Sequence, residues 1–332
     1  MRKQTKIIWE ISYRKEKSVD NIAIIGAGQL GSRHLQAMTL YKDPINIYII
    51  DPSEDSINTA VNRFEEVDQY KNKTIKAFKE ITRLPSALKF VVVSTNSVPR
   101  LNIMEQLLSN CKVDYLLLEK FLFPEVNDYS KAFHLIENHC VSVYVNCTRR
   151  MWPNYQEIKQ ELSQDTNISV TVEGANWGLA SNTIHFLDLF NYLTNETEIN
   201  LDSSALTEIL TNKRRGYIEL AGTLIGRINC NTILNLTSSK CSDAPLTITI
   251  KSNERKYTIN ETQQQVIFYK QDKKIESPFK VYYQSEVTNM VFEQLKEFGC
   301  CSLTSFKESA FLHVKVLEAF NKFLGKKGGM IT

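Results

Sequence analysis

From Asn21 onward, short apolar runs alternate with stretches of helical spacing. Ile22–Ile25, Ile45–Ile50, Lys73–Phe78, Phe90–Ser94, Tyr115–Leu118 and Val141–Asn146 read as six strands, the third weak and the fourth strong through Phe-Val-Val-Val-Ser. Gln29–Leu40, a segment from about Glu54 to Glu66, Pro99–Ser109 and Asn127–Asn138 read as the helices between them. Apolar, β-branched strands that alternate with helices predict a parallel, doubly wound sheet.

The second half has a different pattern. A helix over Asn154–Leu162, a strand over Ile168–Glu173 and a helix over Ile184–Leu193 lead into Ile218–Leu224, Arg227–Ser238, Leu246–Ser252, Arg255–Ile259 and Gln265–Tyr269, strand-like segments with little helix between them. Their alternation predicts a large, mostly antiparallel sheet, wet on part of one face. Two helices follow. Glu286–Phe298 carries Val287, Met290, Val291, Leu295 and Phe298 on one stripe, with Gly299 as its C-cap; the other begins at a capping box, Ser305-x-x-Glu308, and stops at Gly325. We therefore expect a basic N-terminal extension over residues 1–18, a Rossmann-type doubly wound domain over 19–149, and a second domain built on the antiparallel sheet over 150–332.

Composition narrows the class. The 332 residues suit two domains, and a net charge of +3 gives no nucleic-acid footprint. The seven cysteines are odd in number and form no Cys-x-x-Cys pair, and His134, His139 and His313 lack partners at metal spacing, so neither a disulfide framework nor a metal site is expected. No apolar run reaches the roughly 18 residues of a membrane span. The apolar stretch near the N-terminus is broken by Glu10, Arg14, Lys15, Glu16 and Lys17, unlike a signal peptide. The expectation is a soluble, cytoplasmic protein.

The most informative local feature is Gly26-Ala27-Gly28-Gln29-Leu30-Gly31, a G-x-G-x-x-G that follows a strand and opens a helix. Gly26 allows the tight turn, Gly28 lets a pyrophosphate approach the backbone, and Gly31 lets helix and strand pack closely. The helix N-terminus adds free N–H groups and partial positive charge. Asp51 ends the second strand, 25 residues after Gly26, where a carboxylate accepts from both ribose hydroxyls of an adenosine. It repels a 2′-phosphate, and Pro52, Ser53 and Glu54 after it add no cation, which favours NAD over NADP. Thr95 and Asn96, after the fourth strand, fall where they would line the same cleft.

From about Asn21 to Leu324 the chain resembles the Gfo/Idh/MocA oxidoreductases, which act mainly on sugars, cyclitols and sugar derivatives. Four segments carry the likeness: the glycine turn running on to His34, Glu119-Lys120 after the fifth strand, Asn146-x-x-Arg149-Arg150 with Pro153, and His185-x-x-Asp188. The resemblance implies that Lys120 and His185 are the catalytic pair facing nicotinamide and the reacting hydroxyl, with Glu119 beside the cofactor. It also implies a homodimer or homotetramer formed through the open face of the second sheet. The chain departs from the family at two places. Phe121 stands where the family's Glu-Lys-Pro motif has proline, and Ser181, followed by Asn182, stands where many members have an aspartate four residues before the histidine.

The chemistry of these residue types fits the implied roles. An ammonium at Lys120 stabilises negative charge on a substrate oxygen, and a histidine titrating near neutrality moves the hydroxyl proton. Lys120, Arg149, Arg150, Asn182 and His185 are the candidate substrate-binding set, with the two arginines suited to a substrate carboxylate or phosphate. Four of the five have a plainer alternative: a strand-end salt bridge for Lys120, a packed histidine for His185, interdomain ion pairs for the arginines. Lys213-Arg214-Arg215 reads as a solvated loop. The leading expectation is reversible hydride transfer between NAD and a hydroxyl or keto carbon of a sugar or sugar derivative, with acidic and nucleotide-linked sugars among the candidates. The alternatives are an NAD-retaining sugar lyase, epimerase or glycosidase, and a non-enzymatic nucleotide- or sugar-binding protein.

Overall fold

The strand-forming runs assemble as their burial requires. In the computed structural model, which describes residues 19–196, 198–212, 216–240, 243–270 and 273–325, the first half alternates strand and helix. The elements are β1 (Asp20–Ile25), α1 (Gln29–Ala37), β2 (Ile45–Ile50), α2 (Glu54–Glu65), β3 (Lys73–Phe78), β4 (Ala87–Val93), α3 (Ser97–Asn110), β5 (Lys112–Leu118), α4 (Val126–His139) and β6 (Ser142–Val145). Parallel pairing gives the order β3-β2-β1-β4-β5-β6, the doubly wound Rossmann order. Ile22, Ile24, Ile47, Ile49, Val91, Val92, Leu116 and Leu117 are buried, because helices cover both faces of the sheet.

The second half contains α5 (Pro153–Glu161), β7 (Ser169–Ala175), α6 (Leu179–Thr194), β8 (Asn200–Thr211), β9 (Ile218–Arg227), β10 (Ile233–Ser239), β11 (Thr247–Lys251), β12 (Lys256–Asn260), β13 (Gln265–Lys270) and β14 (Lys273–Pro278). These strands form one eight-stranded sheet in the order β14-β13-β12-β11-β7-β10-β9-β8, antiparallel except where β10 runs parallel to β7. One face buries Val170, Val172, Leu234, Leu236, Ile248 and Ile250, with α6 against β9 and β10; the other is half-exposed and rich in threonine. The chain then returns to the first sheet through α7 (Thr288–Phe298), β15 (Thr304–Ser305) and α8 (Phe306–Leu324). β15 adds antiparallel to β6, and Phe292 of α7 stacks on Phe90 of β4.

Strands β8, β14 and β15 were not expected from the sequence. β8 is interrupted by register shifts between Asp202 and Ala205 and between Leu206 and Glu208, so its apolar residues keep no period of two. β14 is exposed throughout, and β15 is two residues long. Helix α6 begins at Leu179, five residues before its expected start, which places Ser181 and Asn182 in its first turn. The helix ends at Gly299 and Gly325 follow expectation, both residues being left-handed, and Ser305 caps α8 by accepting from the N–H of Glu308. The N-terminal extension and the Lys213-Arg214-Arg215 run lie outside the described residues.

Candidate functional site

Sheet register brings the site together. Ile25 of β1 pairs with Ile50 and Val93, Val93 with Leu118, and Leu118 with Val145. The next residue of each strand extends the ladder by one bond: Gly26 N–H donates to Ile50 O (2.8 Å), Ser94 to Ile25 O (2.9 Å), Glu119 to Val93 O (3.1 Å) and Asn146 to Leu118 O (2.9 Å). Gly26, Ser94, Glu119 and Asn146 thus form a row along the carboxyl edge, where ligands of open α/β sheets bind.

The glycine turn is built for close approach. Gly26 has φ +93°, and a Cβ at Gly31 would lie 1.7 Å from Gly26 O. A Cβ at Gly28 would meet nothing within 4 Å, so this position opens onto space. The first-turn N–H groups of α1 have no intrahelical acceptor and carry the positive end of its dipole. Asp51 stands beside the turn, where its Oδ2 accepts from Ala27 N–H (2.7 Å) and its Oδ1 from Ser53 N–H (2.8 Å). A cavity of about 420 Å³ lies over this edge, lined by Gly28, Gln29, Leu30, Thr95, Asn96, Glu119 and Lys120 among others. Thr95 Oγ1 is buried there with no hydrogen-bond partner among the described residues. Open space at Gly28, free helix N–H groups and an unsatisfied hydroxyl fit a dinucleotide.

Glu119 is buried and anchors a network that crosses the chain. Because a carboxylate only accepts, His34 Nε2 carries a proton and donates to Glu119 Oε1 (2.8 Å). Asn146 Nδ2 donates to the same oxygen (2.5 Å) and to Gln284 Oε1 (2.7 Å); Gln284 Nε2 donates to Thr288 Oγ1 (2.9 Å), which sits 2.8 Å from His34 Nδ1. Burial raises the Glu119 pKa, but His34, Lys120 and Asn146 outweigh it and hold the carboxyl below its usual value. On α3, Arg100 donates to the carbonyls of Phe121, Leu122 (2.8 Å) and Thr95, tying the segment after β5 to the one after β4. Burial lowers its pKa to about 10, so it stays charged at neutral pH. The Lys120–Phe121 peptide is cis.

Lys120 lines two cavities, the one over the glycine turn and a second of about 490 Å³ walled by Trp177, Asn182, Asn212 and Glu219. Its Nζ donates to Ser181 O (3.2 Å). His185, one turn after Ser181, lies in an adjoining recess with Arg149, Trp177 and Asn182. Its Nδ1 is buried with no partner among the described residues. Burial, then the charges of Lys120 and Arg149, hold its pKa well below 6.5, so the ring is neutral at neutral pH and a weaker base than an exposed imidazole.

Other expected residues are engaged elsewhere. Arg149 forms a bidentate pair with Glu261 (2.8 and 2.6 Å), and Arg150 holds Asp188 (2.8 Å), Asn191 (2.7 Å) and Glu308 (2.8 Å). Both guanidinium groups are therefore already paired with protein carboxylates. Asn182 spends its amide N–H groups on Trp177 O (2.8 Å) and Gly178 O (3.2 Å). Sequence reasoning missed Arg100, Tyr217 and Glu219. Arg100 sits inside an ordinary helix, and Tyr217 and Glu219 flank the start of a strand that carries no motif.

A Rossmann sheet with a glycine turn, joined to a large, mostly antiparallel sheet that walls a chamber, defines a dinucleotide-binding type of fold with a second cavity beside the cofactor edge. Residues 21–147 match the Gfo/Idh/MocA description, oxidoreductase family, NAD-binding Rossmann fold. No curated protein matched the sequence. Among solved structures, the fold is similar to UDP-N-acetylglucosamine 3-dehydrogenase GnnA from Acidithiobacillus ferrooxidans (12% identity over 91% of this chain and 96% of that one, TM-score 0.69). It is also similar to a putative myo-inositol dehydrogenase from Sinorhizobium meliloti (13%, 95% and 100%, 0.66). A third likeness is to a super-repressor mutant of Gal80p from Saccharomyces cerevisiae (14%, 93% and 97%, 0.66).

Proposed function

We propose that the chain catalyses reversible hydride transfer between NAD and a hydroxyl-bearing or keto carbon of a sugar or sugar derivative. The observation that carries this reading is that Lys120 lines both the cavity over the glycine turn and the chamber beside it, so one ammonium serves cofactor and substrate sides. The likeness in fold to a UDP-N-acetylglucosamine 3-dehydrogenase and a putative myo-inositol dehydrogenase supports a sugar or cyclitol as substrate.

When bound, NAD accepts or returns the hydride. Lys120 donates a hydrogen bond to the reacting oxygen and stabilises its developing charge. His185, kept neutral by its surroundings, takes the hydroxyl proton on Nδ1 or Nε2 during oxidation and returns it during reduction. Asp51 receives the adenosine ribose hydroxyls and disfavours a 2′-phosphate, the basis for assigning NAD rather than NADP. Because Arg149 and Arg150 are paired with Glu261, Asp188 and Glu308, we assign them to the wall of the site rather than to capture of a substrate anion. We take the boundary between cofactor and substrate domains to follow residue 149, and we place contacts between copies, in a homodimer or homotetramer, on the half-exposed face of the eight-stranded sheet.

The test is NADH formation across a panel of hexoses, cyclitols and nucleotide-sugars, with NADP as the competing cofactor. Lys120→Met and His185→Ala should each lower kcat on the order of 10²- to 10⁴-fold. Intact turnover in both variants sinks the assignment. Substrate consumption with no net NADH points instead to a lyase, epimerase or glycosidase that retains its cofactor. A second reading, a sugar- or nucleotide-binding protein without turnover, draws support from the uncharged Ser181; it requires ligand binding with no oxidation of any panel member.

A further inference from the structure

The start of β9 sends two side chains toward Lys120. Tyr217, just before the strand, lines the cavity over the glycine turn, and Glu219, two residues on and so on the same strand face, lines the neighbouring chamber. Glu219 also occupies the N-terminus of α6: its Oε2 accepts from Ala180 N–H (2.9 Å) and Ser181 N–H (3.4 Å), and its Oε1 accepts from Asn212 Nδ2 (3.3 Å). Two consequences follow. The helix end is already occupied by a protein carboxylate, so it does not attract a ligand anion. A carboxylate has about four lone-pair sites, so three bonds leave acceptor capacity on the chamber wall.

The rest of the wall suits an uncharged polar ring. Asn176 and Asn182 use their N–H groups on backbone carbonyls, while their side-chain oxygens remain as acceptors. The Trp177 indole N–H is spent on Thr237 O (2.7 Å), which leaves the ring as an apolar surface. Among the described lining residues, Lys120 and Glu219 are the charged ones, placing one donor and one acceptor of full charge in the same 490 Å³ chamber.

We propose that Glu219 is a substrate-contacting carboxylate that selects a polyhydroxylated ring presenting hydroxyl or ammonium groups to it and rejects a ring presenting a carboxylate. The choice of sugar-like ligands rests on the function proposed above. Hydrogen bonds from ligand hydroxyls to a carboxylate are charge-assisted, and an ammonium gains more, whereas a second carboxylate meets like charge in a partly desolvated site. The selection therefore includes an element of repulsion as well as attraction.

The test is calorimetric binding of glucose, glucosamine and glucuronate, as free sugars and as UDP conjugates, to protein saturated with NAD. Glucose and glucosamine should bind at least about tenfold more tightly than glucuronate in each series. Glu219→Gln retains an acceptor for the Ala180 and Ser181 N–H groups. It should weaken glucosamine about tenfold and bring glucuronate within about threefold of glucose, leaving NAD affinity unchanged. The proposal is overturned if glucuronate binds wild type as well as glucose does, if none of the sugars binds, or if Glu219→Gln lowers the unfolding midpoint while the ranking stays the same, which would make Glu219 a helix cap alone. Binding requires no hydride transfer, so an intact ranking without NADH formation would reject the dehydrogenase reading and keep Glu219 in place.

Discussion

At the scale of single residues, burial decides charge. His313 on α8 is wholly buried, with Nδ1 on Ser309 O (2.8 Å), Nε2 without a partner among the described residues, and its ring edge-on to Phe121 at 4.5 Å. Burial, with Arg100 and Lys120 adding repulsion, lowers its pKa to about 3 despite the Ser309 bond. The unfolded chain, with an ordinary histidine pKa, binds the extra proton between about pH 6.5 and 3, so folding stability falls as pH drops through that window. Acidifying from about pH 7 to 4.5 should cost about 2–3 kcal/mol through this group alone. Urea titrations of wild type and His313→Leu at the two pH values measure it; equal losses in both would remove His313 as the cause. Residues whose role follows from backbone geometry were legible in the sequence. Gly26 and Gly31 could be named from their spacing because a tight turn and a 1.7 Å approach leave no alternative. Glu219 could not, because its bonds to Ala180 and Ser181 span 39 and 38 residues.

At the scale of elements, legibility followed regularity. β1, β2 and β4 lie within a few residues of their expected bounds, since strands buried on both faces read as plain apolar runs. β8 bends through two register shifts and β14 is exposed, so neither leaves a periodic trace. α6 was expected to begin at Ile184, where apolar spacing becomes regular; its true first turn is capped by a side chain from β9, and local sequence holds no record of that cap. The expected arginine sites show the reverse. Arg149 and Arg150 read in the sequence as candidates for a substrate anion or for interdomain ion pairs, and the carboxylates they pair with, Glu261 and Glu308, lie 112 and 158 residues away. Helix α7 gives the sharpest test of packing at this scale. Phe292 is fully buried, 5.4 Å from the Phe90 ring and 5.1 Å from that of Tyr41. Phe292→Ala should cost about 3–5 kcal/mol in urea unfolding. A loss below 1 kcal/mol would mean that α7 contributes little to holding the first sheet.

At the scale of the whole molecule, the two sheets differ in what covers them. The Rossmann sheet is enclosed by helices, while the eight-stranded sheet leaves a half-exposed face on which Thr223 and Thr237 pair their hydroxyls at 2.9 Å. If copies meet on that face as proposed, light scattering should report a whole multiple of the chain mass, and a single-chain particle would contradict the placement. Closure of the Rossmann sheet has a different consequence, for synthesis. A ribosome releases Gly26, Asp51 and Lys120 long before it reaches Gln284, Phe292 and Thr304. Until then His34 and Glu119 lack part of their network, Phe90 lacks its stacked partner, and β6 is an open strand edge. A prematurely terminated chain would expose an apolar face and an unpaired edge together, the combination that favours aggregation and recruits chaperones. The Rossmann half, translated before the eight-stranded sheet, is thus among the last parts of the molecule to be completed.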